Sequence, residues 1–123
     1  MLRYGRGVDT APLTLHFVRT SRSRAILRLT GVVDRTTGAL YIHAAGQALD
    51  HADHLDVDLA GVAAYDGMGL AAFVSVHAMA TEAAKHVTLV NLRPSVAARL
   101  HRTGIHDLLT NPTADPSHTE PAP

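Results

Sequence analysis

Polar and apolar positions along this chain alternate with two different periods, and the changes of period mark out its elements. Leu13, Leu15 and Phe17 alternate with Thr14 and His16, the period of two that belongs to a strand with one buried face. The polar turn Thr20-Ser21-Arg22-Ser23 then leads into a second strand, Ala25–Val33. So short a connection makes the pair an antiparallel hairpin. Leu55, Val57 and Leu59 face one way and Asp56 and Asp58 the other, giving a third strand over Leu55–Ala60, and Val87–Asn91 supplies a fourth.

Between these runs the period lengthens. In Gly38–Ala52, Leu40, Ala44 and Ala48 form a stripe with Tyr41, Ala45 and Leu49 beside it, the spacing of a helix, although Gly46 weakens it. Thr36 or Thr37 is placed to cap it. From Gly69 onward, Ala72, Phe73, Val76, Ala80 and Ala83 share one helical face, and Ala71, Ser75, Ala78, Glu82 and Lys85 the opposite, solvent-facing one. Pro94 stands where a first helical residue belongs, ahead of Ser95–Arg102, and Gly104 where a left-handed cap ends a helix. Ile105–Thr110 reads as a short last strand. The order is ββαβαβα, and helical crossovers make the last three main strands parallel. The expected fold class is α/β: a single small domain over residues 13–110, with a mixed, mostly parallel sheet of four to five strands and about three helices. Residues 1–12 read as a flexible leader. Residues 111–123, with four prolines and no apolar pattern, read as a disordered tail.

Composition narrows the function classes. Eleven basic residues balance eleven acidic ones, and the five aromatic residues are scattered. Neither a nucleic-acid field nor a base-stacking platform is indicated. Cysteine is absent, which excludes disulfides, thiolate metal sites and thiol catalysis and accords with a reducing cytoplasm. No signal peptide and no apolar run of membrane-spanning length is seen, so a soluble protein with no membrane partner is expected. Charge is nonetheless uneven. Residues 1–35 hold seven arginines against two aspartates, and residues 50–66 hold five aspartates and no lysine or arginine. Opposite patches of this kind pair within the fold or steer a partner, but the plain reading of such runs is solvated loops.

The stretch that draws attention is Asp58–Leu70, where the strand breaks at Gly61 and turns through Asp66-Gly67-Met68-Gly69 into a helix. Such a junction presents free backbone N–H groups and an acidic side chain at a helix N-terminus. Asp66 is a partner contact, a helix cap, or both. Asp34 ends the second strand on the same side of a parallel sheet, where ligands and partners of open α/β sheets gather, and it too has a capping role open to it. Asp50-His51-Ala52-Asp53-His54-Leu55-Asp56 offers metal-ligand residue types, but a helix end running into a strand fans them apart, so no metal is assigned. The serines lack a nucleophile elbow, and Gly67-Met68-Gly69 alone makes no phosphate loop. No catalytic residue and no cofactor is assigned, and the chain is expected not to be an enzyme.

Four segments in register resemble the STAS domain, the family named for sulphate transporters and anti-sigma-factor antagonists. Leu29-Thr30-Gly31-Val32-Val33-Asp34 resembles its Gly-Glu-Leu-Asp strand end. Val57-Asp58-Leu59-Ala60-Gly61-Val62 resembles Leu-Asp-Leu-Ser-Gly-Val, and Asp66-Gly67-Met68-Gly69-Leu70 stands where the family has Asp-Ser-Ser-Gly-Leu. Leu89–Val96 with Thr103-Gly104-Ile105 resembles its closing segment. The resemblance implies a bacterial, cytoplasmic interaction module of the antagonist type, regulating transcription by binding an anti-sigma factor with an ATPase-like serine kinase fold. Its contacts would be Asp34, Arg35, Thr36, Asp66, Gly67, Met68, Gly69 and Leu70. Gly67 occupies the position of the family's phosphorylated serine, so no phosphorylation is expected there, and Val32 replaces the strand-end Glu. A phosphate would add nearly two negative charges beside Asp66 and break the contact; without the hydroxyl that switch is missing. The alternative function is a small-ligand or nucleotide sensor using the strand-end crevice near Asp34 and Asp66. A third reading is a metal-assisted hydrolase built on His51, His54 and the neighbouring aspartates.

Overall fold

The structure, a computed structural model, describes residues 2–3 and 13–110. Its elements are β1 (Leu2–Arg3), β2 (Thr14–Arg19), β3 (Arg24–Val33), α1 (Arg35–Leu49), β4 (His54–Tyr65), α2 (Gly67–Glu82), β5 (His86–Val90), α3 (Pro94–Thr103) and α4 (His106–Thr110). The strands form one sheet in the order β1-β2-β3-β4-β5. β2 pairs antiparallel with both β1 and β3, whereas β3, β4 and β5 are parallel. The expected hairpin and parallel crossovers are therefore present. Within the stretch expected to be a loose leader, Leu2 pairs with Leu15 and Arg3 with Thr14. The rest of that leader and the tail at 111–123 lie outside the described residues.

The period-two pattern decides which side of the sheet is covered. Ala25, Leu27 and Leu29 of β3, Leu55, Val57 and Leu59 of β4, and Val87 and Leu89 of β5 are all buried. They join Tyr41, Ala45, Phe73, Val76, Val96, Leu100 and Leu109 in one apolar cluster. Each such fully buried leucine, valine or phenylalanine side chain contributes about 1.5–3 kcal/mol through removal of apolar surface from water. The opposite parity carries charge: Arg24 lies 3.5 Å from Asp56 and Arg28 3.5 Å from Asp58. The arginine-rich and aspartate-rich stretches thus partly meet across neighbouring strands. With half-exposed arginines and a separation of 3.5 Å, these pairs contribute about 1 kcal/mol each or less.

Four expectations need correction. First, β4 does not break at Gly61 but continues to Tyr65, with shifts of register against β3 on either side of Thr30–Gly31. A Cβ on Gly61 would sit 2.7 Å from Thr30 Oγ1 and 3.0 Å from Leu29 O. The glycine permits close approach at an irregular pairing and does not make a turn. Second, α1 begins at Arg35, not Gly38, and of the capping residues open to it the cap is Asp34, not Thr36 or Thr37; Gly46 within it faces Met79 of α2. Third, Ile105–Thr110 adds no strand. After the left-handed turn at Gly104 it forms α4, one helical turn that buries Leu109. Fourth, Phe17 has the inward parity of Leu13 and Leu15, yet it is 44% exposed.

Candidate functional site

β3 and β4 run parallel and end side by side, and each hands over at once to a helix through an aspartate. Asp66 N donates to Val33 O at 3.2 Å, which ties the second junction to the first. Asp34 and Asp66 are therefore neighbours at one end of the molecule, at the N-termini of α1 and α2. No three histidine or acidic side chains converge to hold a metal ion among the described residues. The Asp50–Asp56 segment does fan apart: Asp50 and His51 line a groove beside α1, Asp53 approaches Lys85, and His54 and Asp56 lie on the open face of the sheet.

The two caps differ in how fully they are used. Asp34 Oδ1 accepts from Thr36 N at 2.9 Å and Thr37 N at 3.0 Å, while Thr37 Oγ1 accepts from Asp34 N at 2.9 Å. That reciprocal pattern is a capping box, and Thr37 Oγ1 is fixed further by donating to Val32 O at 2.7 Å. The Thr37 backbone N–H, followed by the Thr37 hydroxyl and the Thr36 N–H, holds the Asp34 carboxyl below its ordinary value, against an opposing push from partial burial. Asp66 makes one cap bond, Oδ1 to Gly69 N at 2.8 Å. It is exposed, and its other oxygen is free of protein donors among the described residues.

Gly67 and Met68 are exposed beside it, Met68 to 55%. A Cβ on Gly67 would meet nothing within 4 Å, so a side chain there would project into open space. Gly69 is the reverse. A Cβ there would lie 2.1 Å from Val33 O, so this glycine lets α2 start hard against the end of β3. Gly69 is buried and Leu70 is half-buried against the core. Gly69, expected as a contact, is therefore not available to a partner and serves packing, and Leu70 is only partly reachable. Arg35 and Thr36 are exposed across the first junction, and Asp34 is half-buried.

The surface continues along α2 through Ala71, Val74 (39% exposed), Ser75 and Ala78. From Gly67 to Thr81 this helix bears no aspartate, glutamate, lysine or arginine. Val74 is an addition to the expected set, legible as an apolar residue off the buried stripe. Arg99 is another, and no local pattern announces it. Its Nη1 donates to Tyr65 O at 2.6 Å and its guanidinium sits 4.6 Å from the Tyr65 ring centre. Arg93 Nε likewise donates to Ala60 O at 2.9 Å. Arg93 at the head of α3 and Arg99 within it thus satisfy carbonyls of β4 beyond the point where β5 stops, and Arg99 steadies the residue just before Asp66. Burial pushes the Tyr65 hydroxyl up, with Arg99 and Arg102 pulling it back.

This arrangement, a mixed sheet whose parallel strands end in two capped helices with an exposed turn between them, coincides with a known family. Residues 16–110 match the family described as "Mlab, STAS domain", and the chain belongs to the STAS domain family. Solved structures share its fold. The anti-sigma factor antagonist SpoIIAA of Bacillus, in its unphosphorylated form, is 15% identical with a TM-score of 0.65, over 76% of this chain and 83% of that one. An anti-sigma factor antagonist from Mycobacterium paratuberculosis is 21% identical with a TM-score of 0.62, over 80% and 83%. A sulfate transporter family protein from Wolinella succinogenes is 13% identical with a TM-score of 0.64, over 75% of each. No curated protein sequence matches the chain.

Proposed function

We propose that this chain is a non-enzymatic docking module of the anti-sigma-factor-antagonist kind, which binds an anti-sigma factor of ATPase-like serine kinase fold and so regulates transcription in a bacterial cytoplasm. The observation that carries the reading is the start of α2. Asp66, Gly67 and Met68 stand exposed at the head of an uncharged helical surface, beside the exposed Arg35 and Thr36. That surface loses little on desolvation, and a single unsatisfied carboxylate oxygen fixes orientation. The likeness of fold to two antagonists supports the partner class. Gly67 offers no hydroxyl, so docking here does not answer to phosphorylation at this position.

A small-ligand sensor at the same place is the alternative reading. A groove of about 420 Å³ lies elsewhere, and none of its lining residues comes from the Asp34–Thr36 or Asp66–Leu70 segments. The test is to mix the purified chain with the serine-kinase-type regulators encoded near its gene and labelled ATP, then resolve the products by size and by label. A stable complex with no label on the chain is expected. Failure to form a complex with any of them, or label on the wild-type Asp66–Leu70 segment, overturns the reading.

A further inference from the structure

At the other end of α1, about 20 Å from Asp34 along a helix of fifteen residues, a second surface is open. Leu15, Phe17 and Leu27 of the sheet and Ala44, Gln47, Ala48, Asp50 and His51 of α1 and its end enclose the groove of about 420 Å³. Phe17 has the parity of a core residue, yet α1 does not reach over it and 44% of it meets water. Among the described residues the strand edge beside it is also unfilled. β1 pairs with β2 only at Thr14 and Leu15, so the outer edge of His16–Arg19 has no backbone partner among the described residues.

An open strand edge next to an apolar groove selects one shape of occupant. Backbone N–H and C=O groups of the edge are satisfied by another extended chain, and alternate side chains of that chain point the same way as Phe17, into the groove. β1 already adds to this edge in the antiparallel sense, two residues further along. Charge adds direction. Arg19 and Arg22 make no salt bridge among the described residues, and Arg19 is held at the turn by bonds to Ser21 O and Arg22 O. We propose that the β2 edge at His16–Arg19 binds an extended peptide segment of a partner protein, one that seats an apolar side chain in the groove beside Phe17 and sets an acidic residue against Arg19 and Arg22. The module then has two docking surfaces, one at each end of α1.

The test is selection of random octapeptides displayed on phage against the full immobilised chain. Selected peptides are expected to alternate apolar and polar residues, with an acidic residue at one end. In complex with a synthetic copy of one, amide exchange slows at His16–Arg19. Affinity falls at least tenfold in Phe17→Ser and in Arg19→Glu, and also in Ala44→Leu, which narrows the groove without touching the edge and serves if Phe17→Ser misfolds. Absence of enrichment, peptides without the period of two, or unchanged affinity in all three variants overturns the proposal. So does equal binding of a copy with prolines at alternate positions, which would mean a filled pocket without a strand. A sedimentation result in which the chain self-associates through His16–Arg19 assigns the edge to a second copy and also overturns it.

Discussion

Asp34 and Asp66 stand at the same kind of junction, a parallel strand entering a helix, and do different work. The first is held by Thr36 and Thr37 and by the hydroxyl network to Val32, so its hydrogen-bonding capacity is largely consumed inside the fold. The second makes one bond to Gly69 and faces water. Residue type and position alone do not show how much of a capping aspartate the fold consumes. What separates them is the residue three places on. A threonine there closes a box around Asp34, whereas a glycine there contributes only its N–H to Asp66 and gives its space to Val33 O.

Substitutions probe that difference, and the largest effect belongs to Gly69→Ala. A methyl 2.1 Å from Val33 O forces β3 and α2 apart, with an expected loss of about 3 kcal/mol in urea unfolding. Next comes Asp34→Ala, which removes the side-chain half of the capping box, the bonds accepted from Thr36 N and Thr37 N, and costs about 2 kcal/mol. Its charge has a pH signature of definite sign. Because the folded-state carboxyl is held below its ordinary value, its stabilising contribution is complete above about pH 4 and is lost as pH falls through the lowered value. Asp34→Asn keeps a capping side chain but removes that titration. Its stability curve should part from the wild type above pH 4 and converge with it in acid. Asp66→Ala should cost only about 1 kcal/mol, one cap bond, while weakening partner binding about tenfold or more in calorimetric titration. The smallest effect is Gly67→Ser, within about 0.5 kcal/mol of wild type, because nothing stands within 4 Å. If it acquires label from a partner kinase that leaves the wild type unlabelled, the missing hydroxyl is the sole reason for the missing switch.

Much of the fold was legible in residue spacing. The hairpin, the parallel crossovers, the buried stripe Gly69-Ala72-Phe73-Val76-Ala80 (without Ala83, which caps α2 and is exposed) and the Pro94 and Gly104 boundaries follow from local pattern because each is enforced locally. The errors fall where a residue answers to something distant in sequence. Gly61 has the look of a turn glycine, but its reason is Thr30, on the neighbouring strand. Phe17 carries the parity of a core residue, yet whether a helix reaches over it depends on where α1 crosses the sheet. Ile105–Thr110 is too short for period to decide, and burial of Leu109 against the core sets its shape. Of the expected contact residues, the strand-end placement of Asp34 and Asp66 and the exposure of Gly67 and Met68 follow from local pattern. The burial of Gly69 does not, because it answers to Val33 on another strand, and Arg99 carries no local signal because Tyr65 O lies thirty-four positions away.

The most direct test of the proposed docking surface is amide hydrogen exchange on the chain alone and in the presence of the anti-sigma factor proposed as its partner. Slowed exchange over 66–71 together with 35–36, with the rest of the sheet unchanged, is the predicted pattern. Protection confined to other segments, with 66–71 exchanging as in the free chain, would contradict the account.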